Sequence, residues 1–164
     1  MKGFFSCWFL WLIALMSLSF FSSCTQQSYC LDVLLPELRS YYSTLDANGK
    51  WVDTTLQNPS IRFGANGNYL TSIQNSHGFA IPIPQGQNSF TIYFRTNSAS
   101  ALEDTLQIVC EPYRQFISKS CGYRYYATLQ SCTFTHHQLD SVLVVHPSVN
   151  ADITLTHLQF VIRK

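Results

Sequence analysis

Asn88-Ser89-Phe90-Thr91-Ile92-Tyr93-Phe94-Arg95 places Phe90, Ile92 and Phe94 on one face and Thr91, Tyr93 and Arg95 on the other. A period of two is that of an extended strand with one face buried; a helix of this length would bring residues three and four apart together. The same period runs through Asp104–Glu111, where Leu106, Ile108 and Cys110 share a face. Leu139, Leu143 and Val145 alternate with Asp140, Val142 and Val144. In Ala151–Lys164, Ile153 and Leu155 share one phase and Leu158, Phe160 and Ile162 the next, so a bulge is expected between them. Shorter strands are expected over Glu37–Tyr42, Ser60–Gly64, Tyr69–Ile73, Phe79–Ile83 and Gly122–Leu129. Turn chemistry separates them: Asp46-Ala47-Asn48-Gly49, Ala65-Asn66-Gly67-Asn68, Pro84-Gln85-Gly86-Gln87 and His146-Pro147-Ser148-Val149-Asn150. Asn-Gly between apolar runs predicts type I′ hairpin turns, which need positive φ at both central residues. No window of helical length in residues 24–164 carries an apolar helical stripe. The expectation is an all-β chain forming a single antiparallel β-sandwich, immunoglobulin-like or transthyretin-like.

The amino-terminal segment has another character. Lys2 precedes an uncharged apolar run from Gly3 to Phe21, and Ser22-Ser23-Cys24 follows. One basic residue, an apolar stretch and small residues before a cleavage point are the parts of a secretory signal. With Cys immediately after that point, the pattern resembles a bacterial lipobox, in which the Cys thiol is acylated. Each buried CH₂ contributes about 0.8 kcal/mol, so two or three acyl chains hold a protein on a membrane where one does not. The expected organisation is a lipoprotein signal peptide at 1–23, a lipidated amino terminus and tether at 24–36 beginning at Cys24, and the β-sandwich domain at 37–164. A retained transmembrane helix is the rival, but Thr25-Gln26-Gln27-Ser28 supplies no basic stop-transfer cluster. Thr25, in place of Asp, favours the outer membrane in the best-known sorting rule. No acidic run follows, so a periplasm-facing domain is expected.

Residues 24–164 hold nine Lys and Arg against nine Asp and Glu. That balance argues against the basic footprint of a nucleic-acid binder. Beyond Cys7 and Cys24, four cysteines stand in the expected mature chain: Cys30, Cys110, Cys121 and Cys132. An even number in an exported chain suggests two disulfides, with three connectivities open. Zinc is the competing use, yet no Cys-x-x-Cys pair exists.

Candidate sites are weak. Cys121 as a nucleophile would need an activated environment that nothing nearby supplies. In His136-His137-x-x-Asp140, adjacent histidines on a strand point to opposite faces, so no metal is expected there. Asp46-x-Asn48-Gly49 has its Gly too early for a calcium loop and reads as a turn. Tyr123, Tyr125 and Tyr126 could line a binding surface, though strand packing explains them more simply. No cofactor is expected.

Three stretches carry a resemblance: Ala80-Ile81-Pro82-Ile83, Asp104-Thr105-Leu106 continuing to Tyr113, and Phe116-Ile117-Ser118 running into Cys121-Gly122-Tyr123. With Cys30-Leu31 they resemble the small lipoproteins of Bacteroidetes grouped as domain of unknown function 6452. The resemblance implies a one-domain, all-β lipoprotein without assigned activity. It also implies Cys30 and Cys121 as disulfide partners, leaving Cys110 and Cys132 for a second bridge. Cys110 shares the face of Leu106 and Ile108, and Cys132 that of Phe134, consistent with both pointing inward. The expected function is that of a non-enzymatic structural or binding module, anchored to the outer membrane through its lipid and meeting an envelope protein partner. The alternative is a surface adhesin or fimbrial-type subunit, which would need a releasable donor strand. No basic cleavage site for that role stands in a suitable loop; Arg62 and Arg95 lie in or near expected strands. A hydrolase or redox enzyme is a third reading.

Overall fold

The computed structural model describes residues 36–70, 76–119 and 121–163. Ten strands follow one another in this part: β1 (Glu37–Leu45), β2 (Trp51–Asp53), β3 (Ser60–Phe63), β4 (Ala80–Pro82), β5 (Ser89–Arg95), β6 (Asp104–Ser118), β7 (Gly122–Phe134), β8 (Leu139–Val144), β9 (Ser148–Val149) and β10 (Leu158–Ile162). They build two five-stranded sheets. One has the order β2-β1-β10-β8, with β4 also paired to β1; the other runs β3-β5-β6-β7-β9. The described chain is all-β.

The alternating faces meet in one core. Leu38, Tyr42, Leu139, Leu158 and Phe160 come from the first sheet, and Ile92, Phe94, Leu106 and Ile108 from the second. An aromatic cluster joins the sheets. Phe160 meets Phe94 edge-on at 5.1 Å and Phe79 at 5.2 Å, and Tyr42 lies 5.7 Å from Phe94. Such pairs add about 0.5–1.5 kcal/mol each beyond the area they bury.

One pairing departs from the expected antiparallel plan: β1 and β10 run parallel, Ser40 opposite Leu158 through Ser43 opposite Val161. His157 starts this ladder. Its Nδ1 accepts from the Arg39 backbone N–H at 3.0 Å, and its own N–H donates to the Arg39 carbonyl at 2.9 Å. On the opposite edge of β1, Gly78 passes so close that a Cβ there would stand 1.8 Å from the Ser40 carbonyl oxygen.

Other expectations shift. Only Leu158–Ile162 of the final run is strand, and Ile153 is exposed rather than inward-facing. Asp152 accepts from the backbone and hydroxyl of Thr154, and Asn150 accepts from the Asp152 N–H; these local bonds compete with a ladder. The β1–β2 turn is closed by the Asp46 carboxylate, which accepts from the N–H groups of Asn48 and Lys50. Of the Asn48-Gly49 pair only Gly49 has positive φ, so the turn is not type I′. The segment around Gly86 carries the chain from β4 in one sheet to β5 in the other, so it is no hairpin. β6 and β7 run well past their expected ends and pair over most of their length.

The expected Cys110–Cys132 bridge is not formed; both residues hold free thiols. A register shift between Val109 and Cys110 sets Cys132 opposite Ile108 and Cys110 opposite Leu129. The two side chains share the inner face but are staggered along it, and a disulfide needs tightly matched Cβ positions.

Candidate interaction surface

The β6–β7 hairpin holds the two longest strands among the described residues. Its inner face begins as core and continues outward through the opposed pairs Cys110 and Leu129, Pro112 and Ala127, Arg114 and Tyr125, then Phe116 and Tyr123. Burial falls along this series: Leu129 and Ala127 are buried, whereas Phe116 is 52 % and Tyr123 64 % exposed. The end of the hairpin therefore reaches past the core that its base helps to build.

The rings there are paired. Phe116 meets Tyr123 edge-on at 5.4 Å, and on the other face Tyr113 lies 5.7 Å from Tyr126. The Arg114 guanidinium stands 5.8 Å from the Tyr123 ring centroid. Gly122 has φ +67°, the left-handed conformation that turns the chain back into β7 without a side-chain penalty. The Ser118 hydroxyl accepts from the Cys121 N–H at 3.0 Å and braces the turn. Beneath the hairpin lies an open cleft of about 300 Å³, lined by Pro36, Ile83, Gln85, Tyr123, Arg124 and Tyr125. Pro36 is buried there, and its carbonyl accepts from the Ile83 N–H at 3.4 Å. The described chain thus enters the domain at the hairpin end.

The structure sorts the other candidates. Cys24 and Cys30 lie outside the described residues. Cys121 does not carry a free thiol. Burial pushes the thiol pKa of Cys132 up to about 11 and raises that of Cys110, the opposite of nucleophilic activation. Of the tyrosines, Tyr126 is buried packing, Tyr125 is half-buried against Gly86, and Tyr123 is exposed. His136 lies 4.5 Å from the Phe134 ring, and among the described residues no three His, Cys, Asp or Glu gather as a metal site.

Two arrangements were not anticipated. The buried Asp104 carboxylate accepts from the backbone N–H groups of His137, Gln138 and Leu139 at 2.6–2.9 Å and from the Thr135 hydroxyl at 2.8 Å. Glu103 next to it pairs with Arg62 at 2.9 Å and Arg95 at 3.3 Å and also accepts from the Tyr69 hydroxyl. Arg62 lies 3.9 Å over the Tyr93 ring and Arg95 4.4 Å over Tyr69. These clamps join β3, β5 and the segment before β6. Arg62 and Arg95 stand in β3 and β5 and are held in these ion pairs. Asp104 begins one of the resemblance stretches, so position could have flagged it, but nothing local in sequence shows which amides it serves.

The family model described as "Family of unknown function (DUF6452)" matches residues 60–162, from β3 to the end of β10. No curated protein and no solved structure matches the chain.

Proposed function

Because this chain belongs to the family of unknown function DUF6452, we propose that it is a cell-envelope lipoprotein, acylated at Cys24 and held on the outer membrane with its domain in the periplasm. It serves there as a non-enzymatic structural or binding module for an envelope partner. In this reading the two sheets are the layers of a β-sandwich of immunoglobulin-like or transthyretin-like type. The observation that carries the proposal is the run from Lys2 through the apolar stretch to Ser22-Ser23-Cys24, which combines an export signal with an acylatable cysteine at its end. The place where the described chain enters the domain supports it. Twelve residue steps lead from Cys24 to Pro36, a reach of at most about 43 Å when fully extended. A domain on such a lead stays near the membrane.

The same reading pairs Cys121 with Cys30. That bridge closes a loop of 91 residues and contributes about 4.6 kcal/mol on the chain-entropy model. It leaves only the six-residue step from Cys24 to Cys30, at most about 22 Å, between the lipid and the hairpin tip. Metabolic labelling with palmitate tests the proposal. Label should enter the wild-type protein and be absent from Cys24→Ala, which should stay uncleaved or leave the membrane fraction. Equal incorporation in both would refute it.

A further inference from the structure

We infer that the end of the β6–β7 hairpin is a lipid-contacting surface, seating Phe116 and Tyr123 in the headgroup region of the bilayer that carries the anchor. The inference rests on the lipoprotein reading and deepens it, giving the domain a defined orientation.

Three observations converge. The first is exposure: Phe116 and Tyr123 are packed together at the far end of the hairpin, beyond the core, and Tyr113 is exposed further back on the other face. Monomer surfaces commonly expose single apolar residues, but a cluster of large rings at one protruding end is a contact site. The second is charge. Residues 112–127 contain Arg114, Lys119 and Arg124 and no Asp or Glu, in a chain whose residues 24–164 balance to zero. Aromatic rings interleaved with long cationic side chains match the interfacial zone of a bilayer, where rings sit at headgroup depth and cations meet anionic lipid. A protein partner with an acidic face would also be attracted by this charge, but the third observation favours lipid. The described chain enters the domain at Pro36, in the cleft beneath this hairpin, and with Cys121 bridged to Cys30 only six residue steps separate the hairpin tip from Cys24, so a lipid there brings this end of the molecule to the membrane surface.

The opposite end supplies an internal control. β1 runs from Glu37, paired with Pro82, to Leu45, paired with Trp51. Trp51 therefore stands about 26 Å along β1 from the entry point, at roughly 3.3 Å per residue, and it is 43 % exposed. It is also the one tryptophan after Cys24.

The test uses the lipidated protein, isolated from membranes and reconstituted into vesicles of phosphatidylglycerol and acyl-brominated phosphatidylcholine. Bromine quenches tryptophan emission only at short range. Trp51 of the wild type should be little quenched. Phe116→Trp and Tyr123→Trp, each placed in a Trp51→Phe background, should be quenched several-fold more strongly. Both positions are exposed, so the substitutions leave the core untouched, and unchanged thermal unfolding verifies this. If Cys24 proves to carry no lipid, the lipoprotein reading falls and takes this inference with it. If the protein is lipidated and reconstituted, yet the indoles introduced by Phe116→Trp and Tyr123→Trp are no more quenched than Trp51, the lipoprotein reading stands and this inference is overturned.

Discussion

Asp104 shows how much one buried side chain can organise. Its carboxylate satisfies three consecutive backbone N–H groups and one hydroxyl, so it holds the β7–β8 connection against the start of β6. Removing the acceptor leaves buried donors unpartnered, at about 1–3 kcal/mol each. Asp104→Ala should therefore cost at least about 3 kcal/mol in chemical denaturation, and Asp104→Asn should also destabilise because its amide nitrogen is no acceptor. A loss within about 0.5 kcal/mol, the range of a neutral surface change, would contradict this role. His157 is the second such residue. Burial first, then the neighbouring His146 and Arg39 charges, lower its pKa from 6.5, against an opposing contribution from the Ser148 backbone. The unfolded chain consequently binds the proton more readily than the folded one. The stabilisation is present above about pH 6.5 and is lost as pH falls through the lower folded value. Protonation also removes the Nδ1 acceptor used by Arg39. Urea midpoints should fall between pH 7 and 5 in the wild type and fall less in His157→Gln; parallel slopes would contradict the assignment.

At the scale of elements, alternation made β5 most legible, because Phe90, Ile92 and Phe94 all turn to the common core, and β1 follows it with Ser40 between Leu38 and Tyr42. In β8 the expected face of Leu139, Leu143 and Val145 is not kept: Leu139 and Val142 are buried and Leu143 and Val145 exposed, beside the register shift against β10. What alternation misses is pairing across distance. The parallel β1–β10 ladder depends on His157 reaching Arg39, 118 residues away in sequence. The outer part of β6, beyond Glu111, carries no apolar alternation to announce it, because there it is held by pairing with β7. The β3–β4 region contains a close approach equally hidden from sequence. Gly78→Ala would drive a methyl group into the Ser40 carbonyl oxygen, so thermal unfolding should show a loss of at least about 1–3 kcal/mol, as for overpacking of a tight site. An unchanged midpoint would show that β1 and this segment can part freely. The bulge between Val109 and Cys110 is also what keeps Cys110 and Cys132 apart. Alkylation after denaturation without reductant should modify both, while native protein should react slowly because burial holds both thiols protonated. Failure to alkylate either residue in the denatured, unreduced protein would mean that they are bridged after all.

For the whole molecule, the all-β class and the family could be read from alternation and from three short motifs. The site could not, because it is a property of one end of the molecule. Phe116, Tyr123, Arg114 and Lys119 acquire meaning only when a long hairpin carries them past the core and the chain enters the domain beside them. The account makes this end membrane-proximal through a lipid on Cys24 and a Cys30–Cys121 bridge. The most direct test is the intact mass of the protein isolated from its native envelope, followed by non-reducing peptide mapping. The account predicts a chain that begins at residue 24 and carries diacylglycerol and acyl mass on its first residue, with a peptide linking Cys30 to Cys121. A chain that begins elsewhere, or an unmodified Cys24, would contradict it.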